Sequence, residues 1–277
     1  MKQGTTKRLP ISVCMISAAE ASRIGRALES VADLASEIIV VLNADVADGT
    51  DDIAAKHGAR VLREPWKGFV AQKNSAQAKA SQPWVLGLDA DEEVSPELRE
   101  EIIALFAQKP PPCAAYSFPR RSFYFGRWIG HGDWYPDRCV RLWQRDRAHW
   151  MGVEPHAALK VDGAIGKLRH DLFHYTTDTI NHQVAKTVKY ADAFVQHCAQ
   201  TGQHITAADL LVRPAWRFVR AYFLKLGFLD GWQGYTIAWL TAFYTFLRYA
   251  KARQEQAGVS AEPRGPRQAM LLNPCIN

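Results

Sequence analysis

In its first half the chain alternates short, wholly apolar runs with amphipathic ones, and this alternation restricts the fold more than any other feature. Residues 11–17, 37–42, 59–63 and 85–88 read as strands, and 21–32, 51–57 and 69–80 as helices. In the first helix Ile24, Ala27, Leu28 and Val31 recur at i, i+3, i+4 and i+7. Strands that are apolar on both faces belong in a parallel sheet covered on both sides. Ligands of such sheets bind beyond the carboxyl ends of the strands. The loop after Leu42 and the turn after Leu88 both lie at that edge, so they can face one ligand.

The run Val85-Leu86-Gly87-Leu88 opens onto Asp89-Ala90-Asp91-Glu92-Glu93. Alternate strand residues share a face, so the strand is expected to end by presenting Asp89 and Asp91 on the same side. Carboxylates so placed can hold Mg²⁺ or Mn²⁺, which take one or two protein carboxylates and fill the remaining positions with substrate phosphates and water. A nucleotide diphosphate is the natural second partner. The plainer reading is that the aspartates only end a strand. On either reading Ser95 caps the next helix, with Pro96 at its first position and Glu97, Glu100 and Glu101 near its positive end.

The 277 residues, 48% hydrophobic, suffice for one large domain with an appendage or for two small domains. Five scattered cysteines without a C-x-x-C pair indicate neither a disulfide framework nor a zinc site, and fit a reducing cytoplasm. The basic start before the apolar run at 9–19 mimics a signal peptide, but Pro10 and two serines interrupt the run and it alternates like a strand. No stretch reaches the roughly 18 to 20 apolar residues of a membrane span.

The net charge of +6 is localised. Seven bases (Arg213, Arg217, Arg220, Lys225, Arg248, Lys251, Arg253) face one acid, Asp230, within 213–253, and the same segment holds twelve of the thirty aromatic residues. Arg213, Arg217 and Arg220 form a basic stripe on a helix whose other side carries Trp216, Val219, Phe223 and Leu226. Residues 235–247 carry no charge. A helical pair of this kind suits the membrane interface, aromatic side down and basic side toward lipid phosphates, or a contact with protein. Nucleic-acid binding is the competing explanation of the same charge, and would leave the acidic strand end unexplained.

Three stretches in order, IIVVLNADVADGTDDIA, GFVAQKNSAQAKASQPWVLGLDADEEVSPEL and WYPDRCVRLWQRD, resemble the family-two inverting glycosyltransferases of the GT-A fold, and more narrowly the bacterial lipopolysaccharide-core glucosyltransferases, over about residues 11–253. The resemblance implies an α/β fold with a Rossmann-like, mostly parallel sheet covered by helices over 1–180, followed by a helical, membrane-interfacial segment at 181–255. A disordered tail is expected at 256–277. It also implies a nucleotide-sugar donor, commonly UDP-glucose, a divalent Mn or Mg ion and a lipid-linked saccharide acceptor. The location implied is the cytoplasmic side of the bacterial inner membrane, peripheral on its anionic surface, with no nucleic-acid partner. A non-catalytic nucleotide-sugar-binding protein of the same fold is the alternative.

Residue by residue, Asp89 and Asp91 match the family's metal and nucleotide carboxylates. Asn43 stands where the family usually has an aspartate against the base, and an amide accepts more weakly than a carboxylate but also donates. Asp48-Gly49-Thr50 reads as a turn and helix start. Gln72-Lys73-Asn74 matches a Q-(R/K)-N motif, in which Lys73 neutralises the diphosphate and Asn74 hydrogen-bonds to it. The aromatic, loop-rich stretch beyond 110–112, from Arg120 to Arg138, is expected to hold the acceptor. Inversion by direct displacement requires a base. Glu154 is the first choice, with Asp133 or Asp137 as substitutes, because Glu154-Pro155-His156 stands where the narrower branch shows Val-His-Glu. His174 matches a histidine that completes the metal's ligands. His170, four residues earlier, would share its face on a helix.

Overall fold

The structure, a computed structural model, describes residues 8–107, 110–153, 156–177 and 179–258. Its first part runs β1 (Leu9–Ser17), α1 (Ile24–Glu29), β2 (Ala35–Asn43), α2 (Thr50–Lys56), β3 (Arg60–Glu64), α3 (Phe69–Ala78) and β4 (Trp84–Gly87). There follow β5 (Glu92–Val94), α4 (Pro96–Ala107), β6 (Ala115–Tyr124), β7 (Arg127–Trp128) and β8 (Asp137–Gln144). A hairpin of β9 (Ala148–Val153) and β10 (His156–Val161), then β11 (Ile165–Lys167) and β12 (Leu172–Thr177), complete the strands. Three α-helices follow among the described residues: α5 (Ile180–Thr201), α6 (Ala207–Val219) and α7 (Gly231–Gln256). The expected tail at 256–277 falls, beyond Gly258, outside the described residues.

One mixed sheet has the order β3-β2-β1-β4-β8-β6-β12-β5, with β7 and β11 also paired to β6. Its first four strands are parallel, as the apolar runs require. The second half is mixed: β8 lies antiparallel between β4 and β6, β12 runs parallel to β6, and β5 returns antiparallel to β12. The apolar run near the start is therefore a core strand, and its alternation sorts side chains between the two faces. Ile11, Val13 and Met15 join Ile24, Leu28, Leu98 and Ile102 under α1 and α4. Cys14, Ile39, Val41 and Val85 join Ala76 of α3 with Trp143 and Trp150 on the other face. Burial pushes the Cys14 thiol up to about 12, which leaves it an apolar filler. Ser95 caps α4 as its sequence implies, its Oγ accepting from Leu98 N at 3.1 Å.

One expectation is corrected here. Residues 120–124, at the head of the stretch expected to be loop-rich, belong to the central strand β6: Tyr116, Phe118 and Tyr124 are buried, while Arg120 is accommodated because carboxylates meet it.

The C-terminal helices fold against one another and against the edge of the sheet. Asp230, almost fully buried just before α7, accepts from the backbone N–H of Gly130 and of His131, the latter at 2.7 Å. Gly132 N donates to the Lys225 carbonyl at 2.8 Å, and Gln233 Nε2 to that of Phe125 at 3.1 Å. Two helix faces remain uncovered: Trp216, Val219 and Phe223 on the first, and Trp232, Tyr235, Trp239 and Phe243 on the second, are all exposed. Among the described residues no helix is long and apolar enough to cross a membrane.

Candidate active site

The turn between β4 and β5 carries Asp89 and Asp91 at the carboxyl edge of the parallel strands. Because β4 ends at Gly87, the two aspartates lie in a turn and not at alternate strand positions, and each meets different partners. Gly87 itself admits no side chain, since a Cβ there would stand 2.7 Å from the Trp143 ring.

Asp89 is held by two cations: Lys73 Nζ donates to Oδ1 at 3.0 Å and Arg141 Nη2 to Oδ2 at 2.6 Å. Burial alone would raise its pKa, but Arg141 and Lys73 outweigh that and keep the carboxyl well below the usual range. Arg141, 7% exposed, also donates to the fully buried Glu92 at 2.5 Å. Arg120 Nη1 lies 3.4 Å from Glu92 and the same guanidinium pairs with Asp137 Oδ2 at 2.6 Å. A single row of alternating charge, Lys73–Asp89–Arg141–Glu92–Arg120–Asp137, thus links α3, the turn after β4, β8, β5 and β6. The pairing of Arg141 and Arg120 with Glu92 escaped the sequence reading. The signal was present, because an arginine between Val140 and Leu142 in an apolar strand requires buried acids beside it.

Asp91 faces the other way. Its Oδ2 lies 3.4 Å from His174 Nε2, and His174 Nδ1 lies 3.3 Å from Ser122 Oγ. The pairing of β12 with β5 and with β6 sets this contact, since His174 stands opposite both Glu92 and Ser122. His170 is not on a helix with His174: it precedes β12 and pairs with Glu101 at 2.9 Å, so the two histidines do not converge. Among the described residues no group of three or more His, Cys, Asp or Glu side chains is arranged to hold a metal.

Other candidates are placed as follows. Lys73 lies over the Trp150 ring, 4.6 Å from its centre, besides holding Asp89. Asn74 spends its amide on the backbone of Trp150, donating to its carbonyl at 2.8 Å and accepting from its N–H at 2.9 Å, which fastens α3 to β9. Both ends of the amide are thereby engaged. Asn43 ends β2, half-buried at the same sheet edge. Asp48 accepts from Thr50 and from Ala21 N, an anchor of the turn as expected.

A cavity of about 580 Å³ opens beside this edge, lined by Arg120, Asp137 and His174 from the sheet and by Lys186, Thr187 and Tyr244 from the C-terminal helices. Asp137 is 44% exposed. Asp133 also borders the cavity but is 4% exposed and meets Arg217 at 2.9 Å, Arg220 at 3.2 Å and Lys225 at 3.1 Å. It is therefore a fastening for the C-terminal helices, not an unencumbered base. Arg217 and Arg220 of the basic stripe turn toward this buried acid, and the aromatic side is left outside. Glu154 lies outside the described residues.

The family model for glycosyl transferase family 2 matches residues 12–164. An uncharacterised glycosyltransferase of Rickettsia typhi is 32% identical over 254 residues, which cover 88% of this chain and 87% of that protein. The lipopolysaccharide core biosynthesis glycosyltransferase LpsC of Rhizobium meliloti is 27% identical over 257 residues, 90% of this chain and 94% of that one. Among solved structures, S. aureus TarS in complex with UDP-GlcNAc aligns with a TM-score of 0.48 at 12% identity, over 92% of this chain and 93% of that chain. By the match over 12–164 and the identity along most of its length, the chain belongs to glycosyl transferase family 2.

Proposed function

We propose that the protein moves a hexose, glucose from UDP-glucose, with inversion onto a lipid-linked saccharide such as the lipopolysaccharide inner core. The observation that carries this reading is the meeting of Asp91 with His174, which with Asp137 lines the large cavity, on the same turn as Asp89 of the Lys73–Asp89–Arg141 cluster. The core-biosynthesis enzyme among the relatives supports the acceptor class.

Asp91 and His174 suit Mn²⁺ or Mg²⁺ as a two-residue site. A carboxylate and an imidazole held within 3.4 Å, with Ser122 orienting the ring, are donors such ions accept when phosphate and water supply the remainder. When bound, the ion supplies Lewis-acid stabilisation of the departing diphosphate. Lys73 and Arg141 bring fixed positive charge to the same edge, and Asp89 orients both. Asn43 meets the base of the nucleotide. The base that takes the acceptor proton is Asp137 or Glu154. The uncovered tryptophans of α6 and α7 rest in the interface of an anionic membrane, which brings the cavity to a lipid-borne acceptor.

UDP release from UDP-glucose, with and without Mn²⁺, tests the transfer. Of Asp137→Asn and Glu154→Gln, the variant that removes the base is expected to lose about 10²–10⁴-fold in turnover with UDP affinity kept. If both variants keep turnover within a few-fold of wild type, neither carboxylate is the base.

A further inference from the structure

Arg213 and Arg217 lie on α6, Arg220 begins the turn of π-helix that follows it, and Arg248 comes from α7. With Tyr244 and Thr245 they line a second cavity, of about 380 Å³. Its charge is not balanced. Arg213 is paired with Asp209, but Arg217, Arg220 and Lys225 share the single carboxylate of Asp133. Arg248 adds a further cation with no carboxylate in ion-pair range among the described residues. It lies over the rings of Phe194, Tyr244 and Tyr249, and its Nε is buried without a hydrogen-bond partner. On the lining itself Arg217, Arg220 and Arg248 have only the Asp133 carboxylate among them, and Lys225, outside the lining, shares that acid, so the concavity keeps an excess of positive charge. Arginines are suited to such a place because the planar guanidinium offers paired donors to a phosphate.

The position of this cavity is as informative as its charge. Tyr244 lines both it and the larger cavity, and Asp133, on the wall of the larger one, is the acid that Arg217 and Arg220 hold. It shares no lining residue with the small cleft around Lys73, Asp89 and Arg141, so the donor's phosphates have separate partners. We propose that the arginine cavity binds a phosphate group of the acceptor, so that the substrate is phosphorylated and is registered by that phosphate while its hydroxyl lies in the neighbouring cavity. This rests on the glycosyl-transfer reading above. The phosphate belongs either to the saccharide or to a lipid headgroup, and the chemistry recognised is the same.

The test uses the full chain, with inorganic phosphate followed by ³¹P NMR and UDP binding measured in parallel by calorimetry. Wild type is expected to bind phosphate. The Arg217→Gln/Arg220→Gln double variant, which leaves Lys225 to Asp133, is expected to bind it at least about tenfold more weakly with UDP affinity unchanged. Arg248→Lys, which keeps the charge and the stacking but loses the paired donors, is a second variant with a weaker effect in the same direction. Competition by glucose 6-phosphate assigns the site to a sugar phosphate. Preference for vesicles containing phosphatidic acid over phosphatidylglycerol, lost in the double variant, assigns it to a lipid phosphate. No phosphate binding by wild type at about 10 mM, or equal binding by the variants, overturns the inference while UDP binding stands. Absence of UDP binding by wild type overturns the reading beneath it.

Discussion

Replacing Arg141 with methionine is expected to destabilise the protein by about 3–5 kcal/mol, because it leaves Glu92 fully buried without its closest cation and Asp89 with Lys73 alone. Urea unfolding measures this. The contrast is Arg145→Met: that guanidinium pairs with the exposed Asp146, and losing a solvated surface pair is expected to leave the urea midpoint nearly unchanged. The pH dependence has a definite sign. In the wild type the folded pKa of Asp89 lies below its unfolded value, so its contribution is fully present above about pH 4 and is lost as pH falls through the folded value. Without Arg141 that pKa rises, and the deficit of the variant relative to wild type is expected to shrink on acidification. Should Arg141→Met not fold, Arg141→Lys keeps one charge and is expected to show a smaller loss with the same pH trend.

Asp91→Asn is expected to lower UDP release from UDP-glucose by about 10²–10³-fold while leaving Tm within about 2 °C of wild type. The side chain is 25% exposed and pairs with His174, so stability depends little on it. His174→Ala is expected to act in the same direction with a smaller loss, because one carboxylate remains for the ion. The divergence between Arg141 and Asp91 is the useful result. A residue that mainly holds the edge of the sheet together changes stability, and one that meets the donor changes turnover alone. Equal stability losses in the two variants would mean that Asp91 is also structural.

The parallel half of the fold was legible because its signals are local. Ile11, Val13 and Met15 alternate with Ser12 and Cys14 in a run too short for a helix, and Ser95-Pro96 marks the start of α4 within three residues. The mixed half was not, because its strands are ordered by distant partners. Arg120 and Arg121 make 115–124 look like surface, and only the acids of β5 and β8 explain a charged residue in a central strand. Within the site, Lys73, Asp91 and His174 reach the expected edge. Asn74 joins α3 to β9 beside it, a role not legible beforehand, since an amide suits a backbone as well as a ligand and nothing local decides between them. Asp133 likewise gave no hint that bases more than eighty residues away would surround it. The four-residue spacing of His170 and His174 has meaning on a helix and none at a strand entry, where His170 turns to Glu101.

Titration of UDP into the full chain by calorimetry, with and without Mn²⁺ and repeated on Asp91→Ala, bears most directly on the site. Tight binding by wild type with Mn²⁺, at least about tenfold weaker when the ion is chelated and indifferent to the ion in Asp91→Ala, is the expected result. UDP affinity that is the same with and without the ion in wild type, or that keeps its ion dependence after Asp91 is removed, would contradict a cation held at Asp91 and His174.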